Sequence, residues 1–202
     1  MRITELLKME SIELGVKVSS KEEAIDRLVA LMNAGGRLRS MAGYKEGILA
    51  REALGSTAIG EGIAIPHAKV EAVKEPGLAA MVVPEGVDYE AFDGSLANLI
   101  FMIAAPAEGA DVHLEALSRL STLLMNPGFK EGLLAASSKE EFLKVIDEAE
   151  VARFGAPEKA AGKSGASSGD GVAASEQAEK GAVGRADKEK GSYRVLAVTA
   201  CP

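Results

Sequence analysis

One short segment of the sequence carries a side chain that could do chemistry. His67 follows Pro66 directly, after residues 63–65, in which isoleucines alternate with alanine as in a strand. Proline lacks a backbone donor, so we expect it to end the strand pairing and leave His67 at a strand edge. Histidine has an ordinary pKa of about 6.5, and the neutral imidazole present at pH 7 is a good nucleophile toward phosphorus. His67 is therefore a candidate for phosphoryl transfer; the alternative is a histidine that caps the strand and contacts a backbone carbonyl.

Two further side chains could assist such a transfer. Arg51 lies in the last turn of a predicted helix, and its guanidinium can hold phosphoryl oxygens in a bidentate fork. His113, the only other histidine, is predicted in the first turn of a helix, where the dipole favours the neutral ring, a possible donor to phosphate. The alternatives are a solvated arginine at a helix C-terminus and a histidine packed above a leucine stripe.

Metal binding is a rival chemistry, because His67 and His113 could be two ligands. A third ligand is missing: Cys201 follows a long segment of low complexity, and no HxxxH or CxxC spacing occurs. We expect neither a metal nor another cofactor. Three carboxylates near these residues have no spacing that requires chemistry and are interpreted as surface or supporting groups: Glu52, Glu61 and Glu115.

The elements that must position these side chains follow from periodicity and turn signals. Strands are predicted at residues 12–18, 63–65, 78–83 and 99–104, the last two apolar on both faces. Capping boxes begin helices at Ser20 and Ser138; further helices are predicted at residues 3–7, 42–54 and 129–135, and from Asp111 to the stop at residues 126–128. Strands interleaved with helices indicate an α/β sheet with helices on both faces.

Charge and composition exclude some classes of function. The chain has 202 residues, 47% of them apolar, enough for one domain with its own core. Residues 1–154 hold 16 Lys and Arg against 24 Asp and Glu, so the predicted domain carries the acidity. A nucleic-acid surface requires clustered cations, and we exclude nucleic acid as a partner.

Cysteine usage and hydropathy bear on location. A single cysteine cannot form an internal disulfide, and the first residues lack the apolar core of a signal peptide. The longest apolar run, residues 99–105, is far shorter than the ~20 residues that span a bilayer. We expect a cytoplasmic protein without direct membrane insertion.

The C-terminal part differs in composition from the rest. Of the 38 residues from 155 to 192, 22 are Ala, Gly or Ser. Such a segment buries too little apolar surface to offset the conformational entropy that ordering would cost. A flexible linker is predicted there. Residues 193–202 regain the pattern of a strand and contain Cys201.

Glu52, Ile59-Gly60 and the run IAIPHA at residues 63–68 together resemble the active-site signature of one bacterial family. It is the fructose/mannitol-type (type 2) enzyme IIA domain of the phosphoenolpyruvate-dependent sugar phosphotransferase system; Ala58 departs from it, where many relatives have glycine. The resemblance implies a mixed, mostly parallel sheet and a domain at residues 1–152. A linker at residues 153–192 would follow, and residues 193–202 are similar to the start of a truncated fructose-type enzyme IIB domain.

The resemblance also implies a function. His67 would accept a phosphoryl group from the phosphocarrier protein HPr and donate it to a cysteine of enzyme IIB, with His113 as the accompanying second histidine. The membrane enzyme IIC, which would carry the fructose-like sugar, would be an indirect partner. The alternative is a regulatory phospho-switch, similar to the nitrogen-type enzyme IIA proteins, that binds partner proteins according to the phosphorylation of His67.

Overall fold

The computed structural model describes residues 2–108 and 112–155, with only the backbone of residues 112 and 113. The elements along the chain are α1 Ile3–Leu6, β1 Leu7–Glu13, α2 Lys21–Ala34, α3 Met41–Glu52, β2 Ala58–Gly60, β3 Ile63–Ala64, β4 His67–Lys69, β5 Gly77–Val87, β6 Ala97–Ala105, α4 Val112–Leu124, α5 Pro127–Ala135 and α6 Lys139–Phe154. In the described ranges, no helix is both long and apolar enough to cross a membrane.

The strands form one sheet in the order β1-β5-β6-β3-β2, and β4 pairs with β6 beyond the end of β3. The longest ladder, between β5 and β6, is antiparallel, as is the short pairing of β2 with β3. The pairings β1–β5, β3–β6 and β4–β6 are parallel. The predicted α/β fold with a mixed, mostly parallel sheet is confirmed.

The two central strands, β5 and β6, are buried on both faces. Alternate residues such as Leu78 and Phe101 join one apolar cluster with α1, α4, α5 and α6. Their neighbours Ala79 and Met102 join a second cluster with α2 and α3. Because successive strand residues point to opposite faces, this division places helices on both sides of the sheet, as predicted.

Helix α2 begins close to the predicted position, with a variation in its capping. The Ser20 side chain accepts a hydrogen bond from the backbone nitrogen of Glu23 at 3.2 Å, as a capping box requires. The Glu23 carboxylate does not return to Ser20 but accepts from the backbone nitrogen of Ser19 at 2.8 Å. Helix α6 is capped in the same way. The Ser138 side chain accepts from the backbone nitrogen of Glu141, and the Glu141 carboxylate accepts from the backbone nitrogen of Ser137 rather than from that of Ser138.

Several element boundaries differ from the sequence prediction, those of β1 and α6 by the most residues. Strand β1 spans Leu7–Glu13 rather than residues 12–18, because Gly15 adopts a positive φ of 69° that interrupts the pleat. Helix α6, which the sequence predicts from Lys139 to Ala149, continues to Phe154. Residues 156–202, with nearly all of the predicted linker and the predicted start of an enzyme IIB domain, lie outside the described residues.

Candidate active site

His67 is the first residue of an edge strand. Strands β3 and β4 pair with β6 in one continuous register, Ala64 with Ile100 and His67 with Ile103. The prediction that Pro66 ends this pairing is wrong, because proline loses only its donor: its carbonyl still accepts from the backbone nitrogen of Ile103 at 2.9 Å. His67 lies at a sheet edge and is half-buried, as expected.

The two ring nitrogens of His67 have different surroundings. Nδ1 lies 2.8 Å from the backbone carbonyl oxygen of Ile65. A carbonyl can only accept, so Nδ1 donates and carries the proton, and Nε2 keeps the lone pair. The strand-capping contact that was the alternative interpretation is therefore present, and it leaves a second nitrogen for chemistry.

A pocket of about 350 Å³ brings His67 together with Arg51. Its walls come from the last turns of α3 and from β4 with the residue after it: Gly47, Ala50, Arg51, Leu54, His67, Ala68, Lys69 and Val70. Sequence reasoning did not single out Lys69. The spacing from His67 is informative only once β4 is known to be a strand, since residues two apart on a strand lie on the same face.

Glycine at position 47 allows α3 to approach β4 closely. A Cβ at Gly47 would lie 2.7 Å from Cγ1 of Val70 and 3.5 Å from Cβ of Ala68. Arg51 lies one turn further along the same helix face, over the start of β4. Its Nη1 donates to the carbonyl of Gly55 at 3.0 Å, which links the guanidinium to the segment that follows the helix.

Glu52 is a structural carboxylate, buried with 9% of its surface exposed. It accepts hydrogen bonds from the Thr57 side chain and from the Thr57 backbone nitrogen at 3.2 Å, and it lies 2.9 Å from Lys21 Nζ. Burial lowers the pKa of Lys21, but its bonds to Glu90 and Glu52 outweigh burial and raise it overall. The network ties the end of α3 to α2 and to the segment entering β2.

Side chains from outside the hairpin stabilise the turn between β2 and β3 through hydrogen bonds. Glu61 has a positive φ of 52°, unusual for a residue with a side chain, and Asp93 accepts from its backbone nitrogen at 2.7 Å. Ser95 also donates to this carboxylate, and these hydrogen bonds lower the pKa of Asp93 from 3.8 to about 2. Lys130 donates to the Glu61 carbonyl. In the sequence, Asp93 followed by Gly94 indicates only a turn.

His113 is the second residue of α4, so its predicted place in the first turn of a helix agrees with the backbone. Its side chain and Asp111 lie outside the described part, and the role of His113 stays a prediction. Glu115 pairs with Arg119 one turn later at 3.1 Å. Among the described side chains, no three His, Cys, Asp or Glu residues lie close enough to hold a metal ion.

The chain matches one protein family over residues 5–149, described as the phosphoenolpyruvate-dependent sugar phosphotransferase system, EIIA 2. The fructose-specific EIIABC component of Bacillus subtilis is 47% identical over 148 residues, which are 73% of this chain and 23% of that protein. The fructose-specific EIIA component of Haloferax volcanii is 39% identical over 146 residues, 72% of this chain and 95% of that protein. The chain therefore spans about a quarter of the first relative and nearly all of the second.

Solved structures share the fold. The nitrogen regulatory protein IIA-Ntr of Neisseria meningitidis has a TM-score of 0.66 and 35% identity, covering 71% of this chain and 98% of that one. Mannitol enzyme IIA of Escherichia coli, solved in complex with phosphorylated mannitol enzyme IIB, has a TM-score of 0.61 and 32% identity. The match covers 70% of this chain and 98% of that one.

Proposed function

Because the chain belongs to the EIIA 2 family of the phosphoenolpyruvate-dependent sugar phosphotransferase system, we propose that His67 is the residue through which it relays a phosphoryl group. The donor would be phospho-HPr and the acceptor a cysteine of an enzyme IIB domain. One observation carries the proposal: the bond from Nδ1 to the Ile65 carbonyl leaves the Nε2 lone pair of His67 without a hydrogen-bond partner among the described residues, in a pocket that Arg51 also lines.

The transfer needs no proton movement at His67. The Nε2 lone pair forms a bond to phosphorus while the bond between phosphorus and the donor imidazole breaks, and its electron pair returns to the donor ring. The Nδ1 proton stays in place, so the phosphorylated ring is cationic and the Ile65 carbonyl stabilises it. A cationic ring is also a good leaving group, which suits the second transfer to a thiolate.

Arg51 and His113 would donate hydrogen bonds to the phosphoryl oxygens. Phosphoryl transfer passes through a loose transition state, and the protein contributes mainly alignment and charge stabilisation. Arg51 uses Nη1 for the Gly55 carbonyl and keeps its other donors for the phosphoryl group. His113 would supply a hydrogen bond from the first turn of α4, a role that rests on the family resemblance.

A fructose-like sugar and uptake through enzyme IIC are proposed from relatives, since fructose-specific proteins match at 47% and 39% identity. Such a relay would act on the cytoplasmic side, and enzyme IIC would be its indirect partner. The rival function is a regulatory phospho-switch. It is supported by a nitrogen regulatory protein of Bradyrhizobium diazoefficiens, 33% identical over 95% of its length. If residues 193–202, with Cys201, are the start of an enzyme IIB domain, they favour transport, because a regulator has no use for such a domain.

The direct experiment is phosphorylation of the full chain with phosphoenolpyruvate, enzyme I and HPr, followed by intact mass and acid-lability measurements. We expect one acid-labile phosphoryl group on the wild type and none on His67→Ala. The matched control is His113→Ala, which should still be phosphorylated, at a lower rate. Equal labelling of His67→Ala would show that the proposal is wrong.

A second step separates transport from regulation. An intact fructose-type enzyme IIB is added to the phosphorylated chain, and the phosphate on its cysteine is measured. Transfer to that cysteine supports the transport relay. Retention of the phosphate on His67 in the presence of enzyme IIB would favour the regulatory function.

A further inference from the structure

Lys69 has the position and charge to act on the same pocket as His67. It lies two residues after His67 on β4, and both side chains line the pocket. Residues at this spacing project from the same face of a strand. Lys69 is exposed, whereas the intervening Ala68 is buried against α3 and its neighbours.

The charge of Lys69 is not neutralised by any neighbour in the described part of the chain. Among the described lysines, those that pair with carboxylates include Lys17, Lys21, Lys45, Lys74 and Lys144. Lys69 makes no ion pair or hydrogen bond with any described residue. An exposed, unpaired ammonium group is available to an external anion.

The pocket itself is cationic in an acidic protein. The chain has a net charge of −7, yet the described residues that line the pocket include Arg51, Lys69 and His67 and no carboxylate. Arg51 belongs to α3 and Lys69 to β4. Two cations from different elements, without an acidic residue in the described lining, form a site for a group with several anionic oxygens.

We propose that Lys69 is a second phosphoryl-binding cation, whose Nζ contacts the oxygens of the group transferred to Nε2 of His67. This inference rests on the proposed function, since it deepens the role of the same site. Lys69 changes no bond itself: the phosphorus–nitrogen bond forms at His67 and breaks in the donor. Its compact charge on a flexible stem can follow the phosphoryl group during the transfer, which complements the fixed fork of Arg51.

The test compares Lys69→Gln, Lys69→Arg and the control Lys74→Gln in the full chain. Lys74 is also exposed, but it pairs with Glu75 and lines a different cavity. The initial rate of His67 phosphorylation is measured with phosphoramidate, a small donor without a protein surface, and with phospho-HPr. We expect Lys69→Gln to be slower by about five-fold with both donors, as for the loss of one exposed charged contact. Lys69→Arg should restore most of the rate, and Lys74→Gln should match the wild type, with equal melting temperatures throughout.

The other outcomes either decide against the inference or separate it from the proposed relay. Unchanged rates for Lys69→Gln would overturn it, and a loss with phospho-HPr alone would show that Lys69 contacts the carrier protein instead. If the wild type reacts with phosphoramidate but not with phospho-HPr, the proposed relay fails while the phosphoramidate rates still test Lys69. If the wild type reacts with neither donor, both proposals are wrong.

Discussion

At the residue scale, one backbone carbonyl determines which nitrogen of His67 keeps its lone pair. The sequence allowed two interpretations of this histidine, a strand cap and a nucleophile. The contact between Nδ1 and the Ile65 carbonyl shows that they are compatible, because an imidazole has two nitrogens and only one is needed at the strand end. The hydrogen bond also fixes the ring orientation, and Arg51 lines the pocket into which a phosphoryl group would enter.

Arg51 offers a test of the bidentate contact. Arg51→Lys keeps the positive charge at the end of α3 but loses the planar fork, so we expect a rate of His67 phosphorylation by phospho-HPr lower by about ten-fold. The melting temperature should stay unchanged, since lysine also suits a helix C-terminus. Arg39→Lys, in a different cavity, is the control. An unaltered rate for Arg51→Lys would exclude a bidentate role.

Asp93 gives a prediction about pH. Its folded pKa of about 2 is below its ordinary 3.8, so its contribution to stability is complete above about pH 4 and is lost as the pH falls through 2. Asp93→Asn should therefore have a lower free energy of unfolding in urea than the wild type at pH 7. This difference in free energy should decrease as the pH falls below 4. Glu10→Gln, at an exposed carboxylate, is the control. A difference in free energy of unfolding between Asp93→Asn and the wild type that does not change with pH would contradict this account.

The site could be predicted from the sequence only in part. His67 and Arg51 were accessible because a motif and a helix end point to them. Lys69 and Asp93 were not, for different reasons. Lys69 is recognised as a candidate only from the pocket lining, which contains no carboxylate among the described residues. Asp93 is recognised only from the fold, which places it beside the turn at Glu61, 32 residues earlier in the sequence. Both depend on contacts between distant segments, which periodicity does not encode.

At the element scale, the close approach of α3 to β4 sets the geometry of the pocket. Gly47 faces Val70 and Ala68, and the absence of a side chain allows the helix to pack against the strand. The C-terminal turn of the helix is fixed separately through Glu52 and Lys21. Together these contacts hold Arg51 and His67 in one pocket although they belong to different elements.

Gly47→Ala tests this packing. The new Cβ would lie 2.7 Å from Cγ1 of Val70, whose β-branched side chain has little freedom to move away. We expect a loss of about 1–3 kcal/mol from overpacking, which exceeds the gain of about 1 kcal/mol in helix propensity, and a slower phosphorylation of His67. Urea unfolding and initial rates measure the two effects.

The control is Gly128→Ala, another helical glycine, where the nearest atom to a new Cβ is Asn126 Oδ1 at 3.4 Å. There the helix propensity should dominate, and stability should stay equal or increase. If Gly47→Ala behaved like Gly128→Ala, the close approach of α3 would not determine the site.

The elements themselves were predicted unevenly. Strands β5 and β6 were recognised because they are apolar on both faces. Strand β4 was missed because Pro66 suggested an end, although its carbonyl keeps the register with β6 across the gap. Strand β1 was placed too late, since the alternation in residues 14–18 continues past Gly15, where the backbone leaves the strand conformation. In β1 a backbone angle at Gly15, and in β4 a backbone hydrogen bond to Pro66, determined the strand boundary against the side-chain pattern.

At the scale of the whole molecule, one apolar cluster on each face of the sheet is built from buried residues between Ile3 and Ile146. The family match covers nearly the same span, residues 5–149. The acidic charge of the domain and the cationic lining of the His67 pocket are therefore properties of one folded unit. The linker and the fructose-type enzyme IIB start predicted for the remaining residues stay predictions.

These boundaries predict where the chain can be shortened. A chain ending at residue 155 keeps both clusters and should melt at the same temperature as residues 1–202 and accept phosphate on His67 at the same rate. A chain ending at residue 148 loses Glu150, whose buried carboxylate accepts from the backbone nitrogens of Ile3 at 2.9 Å and Thr4 at 3.4 Å. The Ile3 donor would then be buried without an acceptor, at a cost of about 1–3 kcal/mol.

Thermal unfolding of the two shortened chains and of Glu150→Ala in the full chain measures this cost. We expect the chain ending at residue 148 and Glu150→Ala to melt several degrees lower, since about 1 kcal/mol corresponds to 2–4 °C at this size. His67 should still be phosphorylated in both at temperatures below the transition, because Glu150 lies on α6, outside the pocket lining. A lower melting temperature for the chain ending at residue 155 would instead show that the domain depends on residues beyond it.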